Sequence, residues 1–219
     1  MTSFTKQSFY ETTVSSFLIE TGVTVNDRLD VGPRDFIQSE SRQHRRDDTE
    51  RLAAELGGDR QAVKMRYAFS ALFSTGVMMP TGFEYGFRRG LDVVKTTPND
   101  WEEPAWDISG FIATVNRLKA SRRVFNEEGP IDVVDCGNPA LFAFRKTSRD
   151  GAERALVVLN KDRTSAQICD LSRLGREFAG ASSVEDISPE ARFDRSAGSL
   201  MGLVEPSGVR VVAARYAGR

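Results

Sequence analysis

The stretch "STGVMMPTGFEYGFRRG", Ser74 to Gly90, runs apolar as far as Pro80 and Gly82, then sets one acid, Glu84, among Phe83, Tyr85 and Phe87. Arg88 and Arg89 follow at once. A short apolar run bounded by Gly and Pro reads as a buried strand that leaves through a loop. The acid at its exit has two readings. It is a solvated carboxylate at a strand end, or it is one wall of a ligand site.

Two helices are expected before this stretch. "DDTERLAAELGGD" offers Asp48 or Thr49 as a cap, since a side-chain oxygen there accepts an orphan backbone N–H. Gly57 and Gly58 end that helix, because glycine enters the left-handed region without a Cβ penalty. "RQAVKMRYAFSALFSTG" is apolar around most of its circumference from Tyr67 to Phe73, which predicts burial on more than one side. After the stretch, "TTPNDWEEPAW" is loop-like, broken by Pro98 and Pro104. A third helix, "DISGFIATVNRLKASRRV", has Asp107 as its cap and one apolar stripe of Ile108, Phe111, Ile112, Val115 and Leu118. Arg117, Lys119, Arg122 and Arg123 are expected to cover its other side, where they also suit the helix dipole.

Beyond Gly129 the pattern changes. "IDVVD", "ALFAFRK", "RALVVLN", "AQICDL", "SLMGLV" and "GVRVVAARY" are short strand-like runs. Turn signals at Gly137-Asn138-Pro139, Asp150-Gly151 and Pro206-Ser207-Gly208 separate them. This spacing predicts an antiparallel β-sandwich. The chain is therefore expected to comprise an irregular segment over 1–46, a helix-and-strand part over 47–129 and an all-β part over 130–219. There is no internal repeat.

Composition sets outer bounds. The chain has 219 residues, 40% hydrophobic and 28% charged, which is ordinary for a globular protein. A net charge of −1 gives no general attraction to nucleic acid or to an anionic membrane, and neither is expected as a partner. Cys136 and Cys169 are too few for a disulfide framework and read as small buried residues. They lack metal-ligand spacing, and His44 is the only histidine, so neither a metal nor a cofactor is expected. No basic leader followed by a long apolar run opens the sequence, and no run approaches a membrane span, which makes a cytoplasmic location the expectation.

The order "DTERLAAELGGD…AVKMRYAFSALFSTGVMMPTGFEYGF", then "DWE", then an amphipathic helix and a small β domain, resembles the C-terminal part of the α-amylase family of glycoside hydrolases. The resemblance runs from about Asp47 to Arg219 and is nearest to glucan-active members, including α-glucan maltosyltransferases. It implies that "GFEYG" ends the last strand of a (β/α)8 barrel, that the helix after Asp107 is the last barrel helix, and that a C-terminal β-sandwich follows. The expected fold class is thus a partial (β/α)8 barrel joined to an antiparallel β-sandwich. The implied ligand is an α-glucan or maltooligosaccharide.

The resemblance also assigns candidate residues. Such enzymes attack the anomeric carbon with one carboxylate and protonate the leaving oxygen with another. A third acid, following a histidine, holds the distorted sugar, and Asp48 in "RRDDTERLA" stands at that position. Asp47 stands where the family has histidine, and an acid at Asp48 serves equally as a helix cap. Arg28 and Asp30 match the nucleophile's spacing, but neither their surroundings nor those of Asp35 or Glu40 support a catalytic role. Glu84, Tyr85 and Trp101 are the candidate sugar-binding residues. Trp106 has the same two readings as Trp101, a platform for a sugar ring or rim packing.

A complete barrel needs about 250 residues, and the part before Gly129 has room for about two strands and three helices. Regular patterning begins abruptly near Asp48, after the basic run "SRQHRR". The expectation is a truncated member of the family, inactive alone and able to self-associate through exposed barrel edges. A change of reading frame before Asp48 would account for the abrupt start, and amylase-like sequence in another frame of the coding DNA would reveal it. The other expectation is a non-catalytic carbohydrate-binding or scaffold protein.

Overall fold

A computed structural model describes residues 51–77, 79–90, 92, 95–193 and 201–217. The segment 1–46 and Asp48 lie outside the described residues. The chain divides between Asn126 and Glu127 into two compact units.

The first unit is built on helices. Its first helix, α1 (Leu52–Glu55), is a single turn whose cap position is Arg51; the expected caps, Asp48 and Thr49, lie outside the described residues. The expected glycine stop is present: Gly57 and Gly58 have φ of 65° and 80°, and the Gly58 N–H reaches the Ala53 carbonyl at 2.8 Å. Helix α2 (Arg60–Phe73) is capped by Asp59, whose carboxylate accepts from the Ala62 N–H at 3.0 Å. From Tyr67 to Phe73 only Ser70 escapes full burial, as the all-round apolar pattern predicts.

Helix α3 (Ser109–Ala120) buries the expected stripe of Phe111, Ile112, Val115 and Leu118. Its entry is fixed by Asp107, which accepts the Ser109 N–H at 2.7 Å. The Tyr67 hydroxyl donates to Asn116 at 2.6 Å and ties α2 to α3. Lys119 departs from expectation. Instead of covering the solvent side, its ammonium donates to the carbonyls of Ala71, Ser74 and Phe125 at 2.8, 2.5 and 2.8 Å. Burial pushes this amine down to about 8.

The barrel strand expected in "GVMMPTGFEYG" is not formed by the described residues. Gly76, Val77, Met79 and Pro80 carry no strand, and residues 81–86 form consecutive turns. A strand needs a ladder partner, and the first strand among the described residues is at Ile131. Pro80 also lacks the N–H a central strand would donate. The turns close on themselves, with the Phe83 N–H on the Pro80 carbonyl at 3.1 Å and the Phe87 N–H on the Gly82 carbonyl at 3.1 Å.

The second unit contains β1 (Ile131–Val133), β2 (Leu141–Thr147), β3 (Glu153–Asn160), β4 (Gln167–Asp170), β5 (Ser183–Asp186), β6 (Met201–Val204) and β7 (Val209–Arg215), with helix α4 (Leu171–Arg176) after β4. Each strand-like run of the sequence overlaps one of these strands; β5 and α4 are additions. The strands form two antiparallel sheets, one ordered β1-β2-β3-β7-β5 and one pairing β4 with β6.

Ala143, Leu156, Val158 and Ala214 from the larger sheet share a core with Cys169 and Val204 from the smaller, closed by Leu174, Phe178 and Phe193. The opposite face of the larger sheet, with Phe144, Val157, Leu159 and Val211, is fully buried too. Burial on both faces explains why these strands read as continuous apolar runs instead of alternating.

Asn160, fully buried at the end of β3, braces the turn region. Its side-chain amide donates to the carbonyls of Ser165, Val204 and Glu205 at 2.9, 3.0 and 2.9 Å. Among the described residues no helix is long and apolar enough to cross a membrane.

Candidate functional site

The loops between α2 and α3 hold three of the four candidate residues; Asp48 lies outside the described residues. Glu84 sits in the run of turns that ends at Gly86. Its main-chain carbonyl accepts the Ile108 N–H at 3.0 Å, which ties the turns to the start of α3. One carboxylate oxygen, Oε2, is buried without a hydrogen-bond partner among the described residues. The Tyr85 carbonyl accepts the Ala105 N–H at 3.0 Å, and its ring stays partly exposed, 6.2 Å from that of Phe87.

Two glycines are required by this packing. A Cβ on Gly82, at φ 82°, would lie 2.0 Å from the Phe87 ring. A Cβ on Gly86, at φ 71°, would lie 2.4 Å from the Trp106 ring. Trp106 therefore packs flat on the turn; its Nε1 is buried and has no hydrogen-bond acceptor among the described residues.

Among the described residues of this unit Trp101 is the most exposed large apolar side chain, with 58% of its surface accessible. It follows a 3-10 turn at Pro98–Asp100 that is fixed by the Asp100 carboxylate, which accepts from the Thr97 N–H at 2.9 Å. These bonds hold the Asp100 carboxyl below its usual range. Trp101 lines a small hollow together with Arg51, Thr81, Phe87, Arg89 and Glu102. Glu84 and Tyr85 are on the neighbouring turns but do not line this hollow.

Arg51 is the residue that sequence reasoning missed. Its guanidinium donates to the Thr81 carbonyl at 2.8 Å and lies 5.8 Å from the centre of the Phe87 ring. Its Nε and Nη1 are buried with no hydrogen-bond partner among the described residues. Burial lowers its pKa, opposed by the carboxylates of Glu102 and then Glu84. Glu102 is already engaged: it accepts from the N–H groups of Arg88, at 2.9 Å, and Arg89, at 2.6 Å. It acts as a brace for the loop. Lys95 is solvated and pairs with Asp92 at 3.5 Å.

The arrangement sets the exposed Trp101 ring beside a guanidinium whose Nε and Nη1 are buried. The exposed ring is the feature open to a ligand, and it suits one that stacks on an aromatic face. Among the described residues no cluster of three or more His, Cys, Asp or Glu is disposed to hold a metal ion.

No protein-family profile and no curated protein matches the chain. Solved structures do. The ligand-free cyclic α-maltosyl-(1→6)-maltose hydrolase from Arthrobacter globiformis matches with a TM-score of 0.53 at 21% identity, over 76% of this chain and 33% of that one. The same hydrolase in complex with cyclic α-maltosyl-(1→6)-maltose matches with a TM-score of 0.51, also at 21% identity and over the same shares of 76% and 33%. A maltogenic α-amylase, AmyB from Thermotoga neapolitana, matches at a TM-score of 0.47 and 17% identity, over 94% of this chain and 47% of that one. These proteins are α-amylase-family glycoside hydrolases. At such identities what is shared is the fold: the chain carries the fold of part of an α-amylase-family enzyme. It spans about a third of the length of the hydrolase.

Proposed function

We propose that this chain is part of an α-amylase-family enzyme acting on α-1,4-glucans, by hydrolysis or by glycosyl or maltosyl transfer. In this reading residues 47–129 are the C-terminal part of a (β/α)8 barrel and residues 130–219 are its β-sandwich. The observation that carries it is the fold shared with the maltosyl-maltose hydrolase over 76% of the chain. The exposed Trp101 ring supports it, because pyranose rings stack on aromatic faces. Trp101, Tyr85 and Glu84 are its sugar-binding residues, and Asp48 is its transition-state-stabilising acid.

The chain is inactive alone in this reading. Retaining chemistry needs a nucleophile and an acid/base on opposite sides of the bond, and the sequence before Asp48 offers neither in a supporting context. Self-association of such a part-barrel belongs to this reading, and sedimentation velocity detects it.

The test is an assay on maltooligosaccharides and on maltose 1-phosphate, run beside affinity electrophoresis in a soluble α-glucan. Retardation without turnover is expected, and Trp101→Ala is expected to abolish the retardation. Turnover by the purified chain overturns the inactivity. Neither retardation nor turnover overturns glucan binding. The second reading, a non-catalytic carbohydrate-binding protein, is favoured by the 58% exposure of Trp101. It is separated by adding the remaining barrel as a second chain: restored turnover supports the enzyme reading.

A further inference from the structure

Cys136 and Cys169 are 33 positions apart in sequence, yet both lie in the core between the two sheets, 2% and 0% exposed. Both are free thiols and belong to one buried cluster. The segments that carry them are clamped on either side of the pair. Before Cys136, the Asp135 carboxylate meets the Arg173 guanidinium at 2.5 Å. After it, the Asn138 amide donates to the Ile168 carbonyl at 3.0 Å and to the Gln167 side chain at 3.0 Å. Gly137 makes the turn between them at φ 76°, with its N–H on Asp135 at 2.8 Å. Cys169 sits inside the same clamp, between Ile168 and Arg173.

We propose that Cys136 and Cys169 form an oxidant-responsive pair that closes to an internal disulfide, tying the turn after β1 to β4. The clamp holds the two segments side by side and both side chains enter the same core, which is the placement a disulfide between them needs. The roles of the two sulfurs differ. The Cys169 thiol and the N–H groups of Asn138 and Cys136 hold the Cys136 thiol down to about 7. The neighbouring Cys136 thiol, and then burial, push Cys169 upward, so it keeps its proton.

The oxidant class is a small peroxide, since the burial of both sulfurs excludes bulky disulfides. The Cys136 sulfur attacks one oxygen of hydrogen peroxide; the O–O bond breaks, an S–O bond forms, and the other oxygen leaves as water. The Cys169 sulfur then attacks the Cys136 sulfur, and the hydroxyl departs as a second water with the Cys169 proton. Two thiols are oxidised to one disulfide, and one peroxide is reduced to two waters.

The test treats the full-length chain with hydrogen peroxide, alkylates it under denaturing conditions and measures its intact mass. The expected product is monomeric, carries no alkyl group, is lighter than the reduced chain by about 2 Da, and returns to two alkylated thiols after dithiothreitol. Its thermal midpoint is raised relative to the reduced chain. In Cys169→Ala, Cys136 is expected to stop as a sulfenic acid trapped by dimedone; in Cys136→Ala, Cys169 is expected to stay unoxidised. Two alkylated thiols after peroxide, a disulfide between chains, or a sulfinic acid in the unsubstituted chain overturns the proposal. The unsubstituted chain alone decides this, so it does not depend on either variant folding.

Discussion

Each unit of the chain is organised around one side chain that donates to three main-chain carbonyls, and the two solve the problem differently. In the helical unit the donor is Lys119, whose ammonium has three hydrogens for the carbonyls of Ala71, Ser74 and Phe125. In the β unit it is Asn160, whose neutral amide shares two hydrogens among Ser165, Val204 and Glu205. The first is matched in number but carries a charge away from water. The second is short of hydrogens but costs less to bury. The settings explain the choice. The end of α2 leaves orphan carbonyls and has no sheet to satisfy them, so a full complement of donors is needed. Around Asn160 the sheet ladders already pair the backbone, and the amide closes the remainder.

Lys119→Met sharpens this contrast most. It keeps the apolar stem and removes every donor, leaving three carbonyls at a helix end. The expected loss is roughly 3–4 kcal/mol, because hydrogen bonds from a charged donor are stronger than neutral ones. Trp101 and Trp106 both belong to this unit, so the shift is read by tryptophan fluorescence in urea. A loss below about 1 kcal/mol would mean that water replaces the ammonium freely.

Asn160→Ala comes next, with an expected loss of roughly 2–3 kcal/mol, read by circular dichroism in urea. Its oxygen also accepts the Asp162 N–H at 2.9 Å, so the substitution orphans groups on both sides of the turn. If Asn160→Ala proves costlier than Lys119→Met, the charged donor is the more replaceable of the two and the contrast fails.

Gly86→Ala tests the loop that carries the candidate site. The new methyl combines a left-handed backbone at φ 71° with a contact 2.4 Å from Trp106. The expected loss is about 2 kcal/mol, accompanied by a changed tryptophan emission. Unchanged emission would mean that the ring yields without disturbing the turn.

The two units were also unequally legible from sequence. The strands of the β unit announced themselves, because burial on both faces leaves runs such as "LVVL" without polar interruption. Strand β5 did not: Ser183, Val184 and Glu185 are exposed, and its pairing with β7 leaves no apolar signature. Helix α4 was too short for periodicity, although Asp170, accepting the Ser172 N–H at 2.9 Å, was a readable cap.

In the helical unit the same apolar signal misled. "GVMMP" has the composition of a buried strand, yet its described residues lead into turns, since composition reports burial and not a ladder partner. Lys119 was read as surface because its place on α3 says nothing about Ala71 and Ser74, 48 and 45 positions away. Arg51 escaped for the same reason: its acceptor, Thr81, is 30 positions distant. At the site, the sequence left Trp101 and Trp106 with the same two readings, a sugar platform or rim packing, because a loop composition does not say which ring the turns will cover; Trp101 is exposed and Trp106 packs on Gly86.

The smallest effect expected belongs to Asp162, and it separates the two anchors once more. Lys119 works alone at its helix end, whereas the turn below Asn160 has a second, solvent-facing anchor. Asp162 accepts from the Thr164 N–H and hydroxyl, both at 2.8 Å, from the Ser165 N–H at 3.0 Å and from Gln167 at 2.8 Å. These bonds hold its carboxyl down to about 2. The folded value is below the unfolded one, near 3.9, so the contribution is complete above the unfolded value and is lost as pH falls through about 2. Asp162→Asn is therefore expected to flatten the fall in urea midpoint between about pH 4 and pH 2, because the amide does not titrate. An unchanged slope would show that the bonds seen at this carboxylate persist in the unfolded chain, leaving Asn160 as the turn's only real anchor.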